Sequence, residues 1–230
     1  MKQAVPTLLS FNGGFLDTAG YLALQGLFTA HVTGNFVTIG AALVFGTSGV
    51  VAKLLALPVF CIVIVVTRLA SYSIAARRWP ELETLLVAQL GFLLIGAVLA
   101  ICLGPFANGD AGPAMVTGMV LVSAMAIQNA THRMHLSALP PTTIMTGTTT
   151  QIMIDIGDVI HGLKPEARVA TLGRLRRMSL AVLSFAVGGA IAALLYSTVA
   201  TWCFAVPPVV ALLAAIWQKS DPAAATGAVA

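Results

Sequence analysis

Long apolar stretches alternate with short polar ones along this chain of 230 residues. Four of them, Lys53–Ala75, Leu85–Gly104, Gly112–Thr131 and Met178–Ser197, have the roughly 20 residues that a helix needs to cross about 30 Å of hydrocarbon. A fifth, Val199–Trp217, is long enough despite Pro207 and Pro208, which a spanning helix tolerates when neighbours satisfy the freed carbonyls. Two regions depart from this pattern. Val5–Leu24 runs almost directly into Gly26–Phe45, which carries Thr29, His31, Thr33, Asn35 and Thr38. Pro140–His161 holds six threonines, Gln151, Asp155 and Asp158. Neither is apolar enough for a plain lipid-facing helix, and both lie among spans. The pattern predicts an all-α, polytopic membrane helix bundle with two interrupted polar segments.

Composition supports the membrane reading. Hydrophobic residues make up 58% of the chain and charged residues 9%, with a mean hydropathy of +0.95. A soluble domain carries about 25% charged residues, so a soluble globular enzyme, a disordered chain and a nucleic-acid-binding module are all excluded. Cys61, Cys102 and Cys203 each lie in an apolar run without CxxC or Cys/His spacing, which argues against a disulfide framework or a zinc site. No metal and no cofactor is expected.

Charge placement selects the topology. The stretch Lys164–Arg177 holds five basic residues and one acid, Glu166, and so accounts for the net charge of +4. It reads as a cytoplasmic loop. If every segment crossed once, Arg77 and Arg78 would lie opposite Lys2, this basic stretch and Lys219. If each polar region adds no net crossing, six crossings remain and all these residues share one face. The positive-inside rule selects the second scheme, with both termini cytoplasmic. The Lys- and Arg-free turns near Thr47–Gly49, Phe106–Gly112 and Ser197–Ala200 then lie outside.

The two polar regions also resemble each other. Phe28–Gly40 reads FTAHVTGNFVTIG and Pro141–Met153 reads PTTIMTGTTTQIM, with Thr33-Gly34-Asn35 matching Thr146-Gly147-Thr148. Asp17 precedes the first motif, and Gln128 and Asn129 precede the second, at intervals that differ by one residue. The chain divides into two halves, 1–106 and 107–220, and a flexible C-terminal tail, 221–230. Three net crossings per half is an odd number, so the halves have opposite orientations, a recurrent transporter design in which broken segments supply the site.

Four runs carry a resemblance to a known family: GGFLDTAGY at Gly13–Tyr21, FTAHVTGN at Phe28–Asn35, AMAIQNA at Ala124–Ala130 and PTTIMTG at Pro141–Gly147. Together they resemble the YoaK-like family of bacterial inner-membrane proteins, which contain a domain of unknown function. The resemblance covers most of the chain. It implies about six transmembrane helices and a multi-pass place in a bacterial inner membrane, and it implies no agreed activity. Ala126 departs from the pattern, standing where the family tends to have Gly.

The candidate site is therefore argued from residues. An acid inside an apolar segment costs a few kcal/mol at the bilayer centre and must face protein or water. Asp17 is accordingly a proton, cation or amine site, or else a cap for a helix beginning at Thr18. His31, Thr33, Gly34 and Asn35 would supply donors and acceptors at one break, and Thr146, Gly147 and Thr148 at the other, with interhelical hydrogen bonding as the plainer alternative. Gln128 and Asn129 are their polar company. Asp155 serves a relay or pairs with Arg168 or Arg174, and Asp158 is expected to pair. His132 and His135 lack a third ligand and mark a helix end rather than a metal site. Gly188-Gly189 and Ala192-Ala193 form small-residue pairs that let helices approach closely.

These features favour a transporter or channel for a small polar or anionic solute or proton, with its site between the halves. The alternatives are a structural or regulatory membrane protein without a solute path and, further off, an intramembrane enzyme. The enzyme reading lacks HExxH and GxSxG motifs, so no catalytic residues are assigned. The expected partners are the lipid bilayer, the solute and possible further copies of the chain, with no nucleic acid.

Overall fold

The computed structural model describes residues 4–220. The expected tail, 221–230, and Lys2 lie outside the described residues. Among those described there are helices and no strands. The order is α1 (Ala4–Ala23), α2 (Asn35–Phe45), α3 (Val50–Ala76), α4 (Glu81–Leu103), α5 (Gly112–His135), α6 (Met145–His161), α7 (Pro165–Val199) and α8 (Val206–Lys219). Short 3₁₀ turns at Val32–Gly34 and Ala200–Ala205 precede α2 and α8. Among the described residues, four segments are long and apolar enough to cross a membrane: Val50–Ala76, Glu81–Leu103, Gly112–His135 and Pro165–Lys219.

Three boundaries differ from the sequence reading. The basic stretch Lys164–Arg177 is not a loop: α7 starts at Pro165, whose fixed φ suits a first helical turn, and runs 35 residues. At about 1.5 Å per residue that is roughly 52 Å, well beyond the hydrocarbon thickness. Val199–Trp217 is not one helix, because the 3₁₀ turn intervenes and Pro207 and Pro208 fall in the first turn of α8, where missing N–H groups cost nothing. No helix starts at Thr18. The helix α1 continues through Gly13, Gly14 and Asp17, so Asp17 is no N-cap.

Packing alternates between the two stretches of chain. The first helix, α1, packs on α7 and α8, while α5 packs on α3 and α4. The helix α2 lies on α3, α6 lies on α7, and α4 meets α8. The α1–α7 crossing is very close: a Cβ at Gly14 would collide with the Phe185 carbonyl, and one at Gly188 with the Phe11 carbonyl. Gly188-Gly189 thus acts as the predicted small-residue contact, made within the chain. Phe15, Leu16, Leu24, Leu121 and Phe204 fill the centre of the main core.

The two ends of the bundle differ in charge. At one end Val5, Leu9, Leu86 and Ala214 pack together, and the start of α1 meets Arg177 and Leu180 of α7. That end collects Arg77 and Arg78 after α3, Arg133 late in α5, and the arginines early in α7. At the other end Gln25 Nε2 donates to the Phe106 carbonyl at 3.0 Å, and the Gly109 N–H donates to Ser48 Oγ at 3.0 Å. Lys53 Nζ donates to the Gln25 carbonyl there at 2.7 Å. Gln25 (φ 54°), Gly26 (φ 84°) and Gly49 (φ 92°) take left-handed conformations in these turns, which the two glycines adopt without strain.

Candidate functional site

Asp17 is one of thirteen buried residues of α1 and is 5% exposed. Its carboxylate accepts three consecutive main-chain N–H groups from the segment after α1. Oδ1 takes Thr29 N at 2.9 Å, Ala30 N at 2.6 Å and His31 N at 3.2 Å, and Oδ2 takes His31 N at 3.1 Å. The acid therefore folds residues 29–31 back onto its own helix. Asn35, at the start of α2, closes the same segment: its amide donates to the Phe28 carbonyl and accepts the Phe28 N–H, each at 2.9 Å. His31 and Thr33 are exposed, and Gly34 ends the 3₁₀ turn.

The second interrupted segment is held differently. Thr143 Oγ1 donates to Asn129 Oδ1 at 2.7 Å. Gln128 Nε2 donates to Thr142 Oγ1 at 3.1 Å and to the Leu9 carbonyl at 3.0 Å, which ties this segment to α1. Gln89 of α4 completes the cluster, its amide donating to Gln128 Oε1 at 2.7 Å. His132 Nε2 lies 3.0 Å from the Pro140 carbonyl. The break falls upstream of where the sequence motif placed it. Gly147 and Thr148 are inside α6, which starts at Met145, and Thr148 Oγ1 bonds the Ile144 carbonyl one turn back. Thr146 lines an open concavity with Thr149, Thr150 and Met153 on the outer face of α6.

Asp155 belongs to neither group. It is fully buried and takes a two-point pairing from Arg174, Nε to Oδ2 and Nη2 to Oδ1, both at 2.7 Å. Gln151 Nε2 adds a bond to Oδ1 at 2.8 Å. This pairing fastens α6 to α7 and leaves little for a relay. Asp158 is exposed. Among the described residues no group of His, Cys, Asp and Glu is arranged to hold a metal.

The predicted residues thus fall into four places: Asp17 with the 28–35 segment, Gln128 and Asn129 with the 142–143 segment, Asp155 on the α6–α7 contact, and Thr146, Gly147 and Thr148 within the first turn of α6. The first two share one helix face. Gly13, Asp17 and Gly20 follow at helical spacing along α1. The Thr142 carbonyl lies 2.8 Å from where a Gly13 Cβ would stand, and the Leu27 carbonyl 3.1 Å from the Gly20 equivalent. Both interrupted segments therefore reach α1 within seven residues, about 10 Å along the axis.

Sequence reasoning missed Gln89, Thr29, Thr142, Thr143 and Asp110. Gln89 carried a signal, as the strongly polar residue of an otherwise apolar run. Asp110 carried none. It accepts N–H groups of Gly49, Val50 and Ala52 at 2.8, 3.1 and 3.0 Å, and these lie about 60 positions away.

The model of the family described as "Protein of unknown function (DUF1275)" matches residues 5–217. The chain is also similar to the UPF0700 transmembrane protein YoaK of Bacillus subtilis (strain 168), with 29% identity over 196 residues, covering 84% of this chain and 83% of that protein. No solved structure matches. The apolar helices and this transmembrane relative agree with an integral membrane protein. With nearly its whole length matched, the chain belongs to the DUF1275 family of proteins of unknown function.

Proposed function

We propose that the protein is a multi-pass inner-membrane transporter or channel for a small polar or anionic solute, with its path between two inverted halves. One observation carries the reading. Each half fastens its interrupted segment to its own first helix across the same interval of 14 residues, Asp17 to His31 and Asn129 to Thr143. The exchanged packing supports it, since the first helix of each half lies on the third and fourth of the other. Non-helical backbone is tolerated at membrane depth where it is buried in protein or lines a cavity. Paired interruptions of that kind mark the sites of inverted-repeat transporters.

In this reading α1, α3, α4, α5, α7 and the 3₁₀ turn Ala200–Ala205 together with α8 cross the bilayer. The helix α2 is about 16 Å long, half the hydrocarbon thickness, and returns toward the end at which its segment begins. The helix α6, 17 residues and about 25 Å long, returns toward the arginine-rich end at which its segment begins, and that end faces the cytoplasm. Labelling single cysteines at Ser48 and Ala170 from one side of sealed vesicles tests the topology: the two positions are expected on opposite sides, and labelling of both from one side breaks the inverted scheme. Uptake by proteoliposomes, screened over small polar and anionic solutes with and without a pH gradient, tests the function. Saturable uptake above empty liposomes is expected. Its absence across the panel returns the chain to a structural or regulatory role.

A further inference from the structure

We propose that the outer face of α7 at its arginine-rich start, from Arg168 to Arg177, binds the headgroups of anionic phospholipids. The site goes beyond the transport reading, since it needs α7 to span the bilayer and needs no solute path. Val169, Leu172, Leu180, Leu183, Val187 and Leu194 are exposed and follow one another at helical spacing. They form the apolar side that α7 turns toward lipid. From Val169 to Leu194 this side runs about 38 Å, longer than roughly 30 Å of hydrocarbon but within the 40–45 Å or so that includes the headgroup layers.

The surplus lies at the start of α7. The helix α1 has 20 residues, about 30 Å, so its first turn marks one edge of the hydrocarbon. Pro6 in that turn shares a shallow cleft with Arg177, Leu180 and Ala181, which sets Arg176 and Arg177 at the same edge. Leu172 and Val169, 46% and 73% exposed, stand one and two turns beyond it. Apolar side chains left at that level are covered by lipid headgroups and glycerol or by nothing.

The same face carries unspent positive charge. Arg176 falls between Leu172 and Leu180, four residues from each, and so sits in the lipid-facing side itself. A guanidinium there reaches back to the headgroup layer along its apolar stem. Arg177 shows that direction: its Nη1 lies 3.6 Å from where a Gly173 Cβ would stand, one turn nearer the start of α7. Arg174 is neutralised by Asp155. Lys164, Arg168, Arg176 and Arg177 make no ion pair among the described residues, and Glu166 is the one acid between Lys164 and Arg177.

An anionic phospholipid satisfies both features at once. Its phosphate takes guanidinium donors in pairs, its net charge answers the unpaired cations, and its acyl chain continues along Leu180, Leu183 and Val187. A free phosphate would leave the apolar positions bare. A second copy docked through this face would bring like arginines together across a two-fold axis, which costs binding energy.

The test uses the full chain in a neutral detergent, with phosphatidylglycerol or phosphatidylcholine of the same acyl chains added to the micelles. Retained lipid is counted by native mass spectrometry and Tm is followed in parallel. Phosphatidylglycerol is expected to be retained and to raise Tm saturably, phosphatidylcholine much less, and added salt to weaken the effect. Arg168→Gln with Arg176→Gln is expected to raise the half-saturating phosphatidylglycerol about tenfold or more, both side chains being exposed and unpaired. Arg77→Gln with Arg78→Gln removes the same charge from the same end of the bundle and is expected to change it by less than about threefold. Should the first double variant fail to fold, Arg176→Gln alone decides. No preference for phosphatidylglycerol, or an equal loss in the two double variants, overturns the site. An equal rise of Tm with glycerol 3-phosphate would assign the face to a free phosphate instead. A dimer seen by light scattering and lost in the Arg168/Arg176 variant, without lipid preference, would assign it to a second copy.

Discussion

Asp17 holds its segment through main-chain N–H groups, whereas Asn129 and Gln128 hold theirs through threonine hydroxyls. The positions correspond, but the partners differ in kind. A main-chain donor stays whatever residue other than proline stands at positions 29–31, so the first segment depends on one acid and little on its own side chains. The second depends on a matched set: an amide at 128, an amide at 129 and hydroxyls at 142 and 143. Pro140 and Pro141 explain part of the switch, because neither offers an N–H to a neighbouring carboxylate. One fastening therefore concentrates a buried charge, and the other spreads its hydrogen bonding over neutral groups that also reach α4 through Gln89.

The largest effect is expected from removing the concentrated fastening. Asp17→Ala strands three main-chain N–H groups, two of them buried, that no second substitution short of proline can delete. Each stranded group costs about 1–3 kcal/mol, so the sum reaches several kcal/mol, a large part of the stability of an ordinary domain. Size-exclusion profiles and thermal unfolding in detergent are expected to show Asp17→Ala as the least stable single variant of either segment. Asp17→Asn keeps one acceptor oxygen and should fall between it and wild type. A Asp17→Ala protein as stable as wild type would remove the fastening role.

The spread fastening is expected to break less and to be repairable. Asn129→Ala removes the acceptor of the buried Thr143 hydroxyl and should cost about 1–3 kcal/mol. Adding Thr143→Val removes the stranded donor while keeping the shape, so the double variant should regain much of the loss. A double-mutant cycle read by unfolding measures the coupling. Additive losses at 129 and 143 would show that the 2.7 Å bond contributes nothing specific.

The same contrast sets what the sequence discloses. Spans were legible from apolar runs, because lipid selects composition over whole helical lengths. The importance of Asp17 was legible for a similar reason, since a charge in an apolar run demands a partner. The identity of that partner was not. Main-chain N–H groups leave no mark in a residue pattern, so the carboxylate read as a helix cap or an open site rather than a fastening for residues 29–31. The T-G motif misplaced the second break because Gly147 sits comfortably inside α6, while the bend is made by Pro140 and Pro141 upstream. Asp155 illustrates the opposite case. Arg174 was foreseeable as a partner, but only the helical start of α7 at Pro165 brings it to α6.

Asp110 offers the smallest and cleanest test of what a carboxylate gains from main-chain donors, because it repeats the Asp17 device outside the spans. It accepts N–H groups at the first turn of α3, where the helix dipole also favours a negative charge. Partial burial pushes its carboxyl up, but the N–H groups of Ala52, Gly49, Val51 and Val50 outweigh this and hold it below the ordinary value of 3.8. A carboxylate with a lowered value in the folded state adds stability that is fully present above its unfolded value. That stability is lost as pH falls through the lower folded one. Asp110→Asn keeps acceptor oxygen but no charge, so at neutral pH it should lower Tm by a few degrees at most, in line with about 0.3–1 kcal/mol for a charge at a helix start. The margin between wild type and Asp110→Asn should stay level from pH 7 down to about the ordinary carboxylate value. Below it the margin should shrink toward zero as the folded carboxylate takes its proton. Tm measured against pH for both proteins reads this directly. A margin that survives unchanged at the lowest pH would mean that shape rather than charge holds α3, and the likeness to Asp17 would then extend to geometry alone.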